Sequence, residues 1–156
     1  MTESLLRVRD LCAGYGASQV LDEISFSVDT EAVGIIGRDG MGKTTLCATL
    51  MGLVQPSAGT ITYRGERIDG RSPERIARAG IFYVGQGRRL FPSLTVDEHL
   101  RMPAKGTPCR RWTPKAVHEL FPRLADRRQR AGGNLSDGEQ QMLAVGARCC
   151  STGPCC

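Results

Sequence analysis

One stretch of this chain has the residue types and spacing of an anion-binding device: Gly37-Arg38-Asp39-Gly40-Met41-Gly42-Lys43-Thr44-Thr45. Its glycines let the backbone curl so that successive N–H groups face inward as a nest. A helix opening directly behind such a loop adds the partial positive charge of its N-terminus. At this spacing Lys43 would reach β- and γ-phosphates, and the Thr44 hydroxyl would ligate Mg²⁺. The alternative, a glycine-rich surface turn, does not account for the whole spacing together with its flanks.

Those flanks are the elements that must hold the loop. The apolar run Ala32-Val33-Gly34-Ile35-Ile36 precedes it and is expected to be a buried strand. Leu46-Cys47-Ala48-Thr49-Leu50-Met51 follows as a helix, stopped by Gly52 and Pro56. Upstream, Leu5 to Leu11 and Val20 to Val28 alternate as strands around a turn at Gly14-Tyr15-Gly16. Thr60 to Tyr63, with Gly65 and Ile68, reads as a strand and hairpin, and Ile81 to Val84 as a short apolar strand. Ser72-Pro73 starts a short helix. Thr95-Val96-Asp97-Glu98 and Ser136-Asp137-Gly138-Glu139 are capping boxes that open two more. Pro103 to Pro108 is a loop, and Thr113-Pro114 begins a helix with Val117, Leu120, Phe121 and Leu124 on one side. The fold class is α/β, a mixed sheet with a helical insertion from about residue 92 to 148.

Composition bounds the rest. A chain of 156 residues, 40 % hydrophobic and 5 % aromatic, is of globular type and long enough for a real core. Its apolar runs are too short to span a bilayer. Met1-Thr2-Glu3-Ser4 lacks the pattern of a signal peptide, so a cytosolic protein is expected, at a membrane only through a partner. The net charge of +5 gathers as arginines between Arg110 and Arg130. Without interleaved aromatic residues this favours a solvated helical face over a nucleic-acid surface. Cys12, Cys47 and Cys109 are scattered, as in a reduced compartment.

Three further features sharpen the reading. Tyr15 offers a ring that could stack on adenine. Gln86 ends the apolar strand at Val84 with a neutral amide able to touch Mg²⁺ and a water. Leu135-Ser136-Asp137-Gly138-Glu139-Gln140-Gln141 sets a hydroxyl and main-chain amides at a capped helix start, a second phosphate-binding device. Together they resemble the ATP-binding cassette of ABC transporters from about Leu5 to Arg148, with Gly37 to Thr45 as P-loop, Tyr15 as adenine-stacking aromatic, Gln86 as the Q-loop glutamine and Leu135 to Gln141 as the signature. Gly87-Arg88-Arg89-Leu90-Phe91-Pro92, Glu119-Leu120-Phe121-Pro122-Arg123-Leu124 and Gly138-Glu139-Gln140-Gln141-Met142-Leu143-Ala144 look like the branched-chain amino acid importers of that family. Urea and short-amide importers have similar cassettes.

The resemblance implies a machine in which two cassettes sandwich two ATP molecules, the P-loop of one facing the signature of the other. Residues 1–91 would be the nucleotide-binding core and 92–148 the helical subdomain. Gly37, Arg38, Asp39, Gly40, Met41, Gly42, Lys43, Thr44 and Thr45 would bind ATP with Tyr15, while Ser136 and Gly138 would meet the partner's nucleotide. Thr44 and Gln86 would hold Mg²⁺, and Gln86 and Lys43 would serve catalysis. Membrane-spanning permease subunits, a second ATP-binding subunit and, indirectly, a solute-binding protein would be the partners, at the inner face of the cell membrane. A non-catalytic nucleotide-binding module and a nucleic-acid-associated ATPase are the alternatives.

Some residues depart from the pattern. Asp137 stands where the family has glycine; a carboxylate about 4 Å from a γ-phosphate is repelled by roughly 4 kcal/mol at an effective dielectric near 20. Asp39 replaces the usual asparagine, and Gly85 a common proline. After Gly146 the chain holds neither carboxylate nor histidine, so the family's aspartate–glutamate strand and later histidine have no counterpart. The cassette is read as lacking its C-terminal part, and the 156 residues as nearly inactive alone. Residues 149–156, an atypical tail with Cys149, Cys150, Cys155 and Cys156, lack the CxxC spacing of a zinc site. They are read instead as a shift of reading frame. A Cys-Cys pair is encoded TGY-TGY and, shifted by one base, becomes NTG-YTG, in which YTG is always leucine. The coding DNA is accordingly expected to contain, in another frame downstream, an apolar strand ending in Asp-Glu; sequencing that finds none in any frame ends the idea.

Overall fold

The computed structural model describes residues 4–29, 32–85, 90–104 and 112–151. The chain divides into two compact units, Met1–Tyr83 and Val84–Cys156, each with its own hydrophobic core.

The first unit is built on an antiparallel sheet in the order β2-β1-β3-β4, from β1 (Leu6–Tyr15), β2 (Ser18–Val28), β3 (Pro56–Tyr63) and β4 (Glu66–Arg67). β1 and β2 meet at a two-residue turn, with Tyr15 paired to Ser18. Tyr15 is therefore the last residue of a strand rather than part of a turn, because Gly16 and Ala17 complete the reversal. The buried residues of β1 are Val8, Leu11 and Ala13, so the alternation slips by one between Val8 and Leu11. A bulge at Asp10 (φ 49°) resets the face, and the Asp10 N–H donates to Ser25 Oγ at 2.8 Å. Gly59 on β3 fits beside this bulge at φ 89°; a Cβ there would lie 2.4 Å from the Asp10 carbonyl oxygen. Arg64 and Gly65, both at positive φ, form the tight turn from β3 to β4.

Helix α1 (Lys43–Leu50) packs on β1 and β2 and closes the core with Leu46 beside Leu21, Ile61 and Ile68. Helix α2 (Pro73–Arg78) buries Ile76; Ser72 takes its N-cap position, without a side-chain capping bond.

Two expected strands are not formed. Residues 32–36 have no regular structure and are exposed, with Val33 at 59 %, Ile35 at 48 % and Ile36 at 98 %. Residues 81–84 are half-buried and also unpaired as strand. A strand exists only when a neighbour takes up its N–H and C=O groups. Among the described residues no strand pairs with either segment, so their apolar character alone does not make them sheet.

The second unit is helical: α3 (Val96–Ala104), α4 (Pro114–Leu120), α5 (Pro122–Ala125), a 3-10 turn Gly132–Asn134 and α6 (Asp137–Ser151). Val96, Leu100, Val117, Leu124, Leu135, Leu143 and Cys150 form its core. The capping box at α3 is formed: Thr95 N–H and Oγ1 both donate to Glu98 Oε2 at 2.8 Å, and Glu98 N–H donates back at 3.3 Å. These bonds, the Thr95 amide foremost, hold the Glu98 carboxyl below its ordinary pKa. Helix α3 runs through Pro103 and Ala104, past the start of the expected loop.

The single helix expected after Thr113 is two. Phe121, at φ −121° and ψ 78°, breaks it, since the residue before proline avoids helical geometry. The break turns Leu120 out to 54 % exposure while Val117 and Leu124 stay buried, so these apolar residues do not share one face. Gly146 marks the crossing of α6 with α4, where a Cβ would meet Val117 Cγ1 at 2.6 Å.

Substituting Gly59→Ala is expected to lower stability by about 2 kcal/mol or more, because it combines a left-handed backbone with a clash against main chain. The shift in urea midpoint at constant m-value measures this; an unchanged midpoint contradicts the described bulge.

Candidate phosphate-binding site

The sequence places its chemistry in two groups, one in each unit. In the first unit the loop before α1 turns on Gly40 (φ 83°) and Gly42 (φ 82°). Gly42 is the N-cap residue of α1, and its carbonyl accepts the Leu46 amide at 2.8 Å. Only glycine fits there. A Cβ would approach Leu21 Cδ2 at 3.0 Å and Val20 Cγ1 at 3.1 Å, so the loop's end is seated against β2. The Met41 amide donates to the Arg38 carbonyl at 3.3 Å and tightens the curl.

Lys43 folds back over the loop it follows. Its Nζ donates to the carbonyls of Gly37 and Arg38, each at 2.6 Å, and lies 3.8 Å from Asp39 Oδ1. The ammonium therefore stands above the residues expected to cradle phosphate. The first-turn amides of Lys43, Thr44 and Thr45 have no carbonyl one turn earlier within the helix. Thr44 is exposed, and its hydroxyl is free to meet solvent or a cation. Thr45 is buried, and its carbonyl accepts the Thr49 hydroxyl at 2.8 Å. Gly37, Arg38, Asp39, Gly40 and Met41 are all exposed. Such a donor set suits a polyphosphate: main-chain amides, one mobile ammonium and one hydroxyl. Tyr15 is 56 % exposed at the end of β1, able to offer a ring face.

In the second unit, Ser136 precedes α6 and the expected capping box is formed. Its N–H and Oγ donate to Glu139 Oε2 at 2.8 and 2.9 Å, and the Glu139 amide donates back to Oγ at 3.4 Å. Arg127 Nε meets the other carboxylate oxygen at 2.7 Å. The Ser136 amide, then its hydroxyl, with Arg127 and Arg130 adding, pull the Glu139 carboxyl below its ordinary pKa. Ser136, Asp137 and Gly138 are exposed, whereas Glu139 is buried.

Gln86, expected to touch Mg²⁺ and a water, lies outside the described residues, as do Cys155 and Cys156. Cys149 and Cys150 lie in α6, and among the described residues no cluster of histidine, cysteine or carboxylate groups could hold a metal ion.

Sequence reasoning missed two residues. Arg127 carried no local signal, because its partner is twelve positions away and met only through tertiary packing. His99 is a buried structural residue that no local pattern announced. It is 3 % exposed, its Nε2 accepts the Phe91 amide at 3.0 Å, and Nδ1 lies 2.8 Å from the Thr95 carbonyl. This fixes the Nδ1–H tautomer as a strut beneath residues 91–95.

Residues 21–155 match the family described as ABC transporter. Over 135 residues the chain is 43 % identical to the high-affinity branched-chain amino acid transport ATP-binding protein BraG of Pseudomonas aeruginosa, covering 85 % of this chain and 58 % of that protein. It is 32 % identical to the LivG protein of the same description from Salmonella typhimurium, covering 99 % and 68 %. Among solved structures it is similar to an ATP-binding subunit of an ABC transporter, with a TM-score of 0.78 at 33 % identity, covering 92 % of this chain and 61 % of that one. A second, the ADP conformation of the cassette MJ1267, gives 0.77 at 25 %, covering 96 % and 66 %. The chain thus spans about six tenths of the length of several of these relatives. The expected cassette fold stands, and among the described residues every strand pair of its sheet is antiparallel.

Asp39 is the one carboxylate among the loop residues 37–42. Replacing it with asparagine is expected to raise affinity for a nucleoside triphosphate about threefold, with the gain shrinking as salt rises. Titration of a fluorescent nucleotide at two ionic strengths measures this. An unchanged affinity, or a gain indifferent to salt, would place the Asp39 charge outside the phosphate's reach.

Proposed function

The chain belongs to the ABC transporter family, and on that premise we propose that it is the ATP-binding subunit of an importer of branched-chain amino acids. The observation that carries this reading is the loop before α1, where two left-handed glycines deliver the chain into a helix start under the Lys43 ammonium. The likeness to BraG and LivG supports the choice of solute class. A urea or short-amide importer is the alternative within the family.

In this reading residues 1–91 bind nucleotide and 92–148 carry the signature; Cys149 and Cys150, expected to belong to a separate tail, instead continue α6, with Cys150 in the core of the second unit. Amides of the loop and of the first turn of α1 take phosphate oxygens. Lys43 exchanges its two carbonyl partners for the β- and γ-phosphates, a rearrangement of a few side-chain torsions. Tyr15 stacks on the adenine. Thr44 and Gln86 would hold Mg²⁺, which would draw charge from the phosphates. Ser136 and Gly138 face the nucleotide of a second ATP-binding subunit, and closure drives membrane-spanning permease subunits that take up solute from a solute-binding protein. Among the described residues no helix is long and apolar enough to cross a membrane; the place proposed for the chain is the inner face of the cell membrane, beside such partners.

For the 156 residues by themselves the reading is binding with little turnover. Attack on the γ-phosphate needs a base, and none of the residues assigned above, Lys43, Thr44, Gln86 and Ser136, is a carboxylate or histidine.

MgATP is expected to bind the chain with micromolar affinity, and Lys43→Ala to weaken that binding at least tenfold. Calorimetry measures both. Equal affinity in the two proteins, or no binding by either, overturns the assignment.

A further inference from the structure

The mechanism above asks the Ser136 hydroxyl to meet a phosphate, yet its single proton already has an acceptor. Oγ donates to Glu139 Oε2 at 2.9 Å, and the same carboxylate oxygen takes the Ser136 amide at 2.8 Å. A hydroxyl has one proton, so a phosphate oxygen must compete with a carboxylate for it. While Glu139 holds that proton, Ser136 presents lone pairs, which repel an anion. Glu139 is only 7 % exposed, so water does not readily replace either partner. Its other oxygen is fixed by Arg127 at 2.7 Å. Arg127 is fixed in turn, because the segment around it is tied to the start of α3: the Val96 amide donates to the Arg130 carbonyl and the Asp97 amide to that of Arg128, both at 3.0 Å.

We propose that Glu139 is a latch on the signature serine, set by Arg127, and that Ser136 engages a nucleotide phosphate only when its hydroxyl exchanges Glu139 for that phosphate. The inference rests on the reading of Ser136 as facing a second subunit's nucleotide and adds regulation to it. Glu139 is a positioning residue, since it acts through Ser136. Arg127 moderates the latch by sharing the carboxylate charge. A shift of the Arg127–Arg130 segment, which is bonded to α3, would change the grip on Ser136.

The test is MgATP-dependent self-association of the full chain, followed by sedimentation, with nucleotide binding and hydrogen exchange at the Ser136 amide measured in parallel. Glu139→Gln keeps shape and an acceptor oxygen but removes the charge. It is expected to speed exchange at Ser136 and yet tighten association three- to tenfold. Arg127→Gln, at a half-exposed position, leaves the carboxylate charge undivided and is expected to loosen association by a similar factor. A merely structural capping role also loosens association in Arg127→Gln, so Glu139→Gln decides: it would then weaken association together with helix stability, or leave it unchanged. That result, alongside a Ser136→Ala variant that weakens association, overturns the latch and leaves the transporter reading standing. If Ser136→Ala has no effect while MgATP still binds, or if no protein associates at all, the signature reading falls and the latch with it.

Discussion

Everything proposed for the first unit depends on an ammonium closed over its own loop. The segment before the loop is exposed and has no sheet partner among the described residues, so it does not impose a shape on residues 37–42. The shape comes from the other side. Gly42 is wedged against Val20 and Leu21, and Lys43 draws the Gly37 and Arg38 carbonyls together at 2.6 Å. Carbonyl lone pairs that would otherwise face an incoming anion are thereby occupied by the cation that the anion also wants. Asp39, 3.8 Å from the same ammonium, is a third claimant. At this exposure such a pair is worth little by itself, at most about 1 kcal/mol. Its importance is that it occupies Lys43, not that it stabilises the fold.

The second unit solves a different problem with repeated chemistry. Two helices begin with the same Ser/Thr-x-x-Glu device, one at Thr95 and one at Ser136. At Thr95 the box is half of a frame, with His99 bridging the Phe91 amide and the Thr95 carbonyl. At Ser136 the same device has acquired Arg127. The two boxes are joined through the amides of Val96 and Asp97, which bond to the carbonyls of Arg130 and Arg128. Local capping has thus been built into a network that spans the α3 and α6 starts.

Local chemistry was legible in the sequence; partnership was not. Proline starts and both capping boxes follow from three or four adjacent residues, and these were found where expected; the turn expected at Gly14-Tyr15-Gly16 instead lies at Gly16 and Ala17. The strand at residues 32–36 failed because apolar character states a wish for burial, not the presence of a neighbour to bury against. The helix after Thr113 failed for a readable reason: Phe121 precedes Pro122, and the backbone rule outweighs an apolar stripe. In β1 the bulge at Asp10 broke the alternation, and nothing within the strand announces that Gly59 waits opposite. At the candidate site, Lys43, Thr44 and Ser136 were singled out by spacing. Arg127 required knowing which turn comes to rest against Glu139.

The crossing at Gly146 has a consequence for how this helical unit can vary. With a Cβ there only 2.6 Å from Val117 Cγ1, positions 117 and 146 divide one fixed volume between them. Growth at 146 must be matched by shrinkage at 117, or α4 and α6 must separate. Drift in this part of the chain is therefore constrained in pairs: a bulkier residue at 146 becomes tolerable after 117 has become alanine, whereas the two changes in the opposite order pass through a clash before they reach the same end.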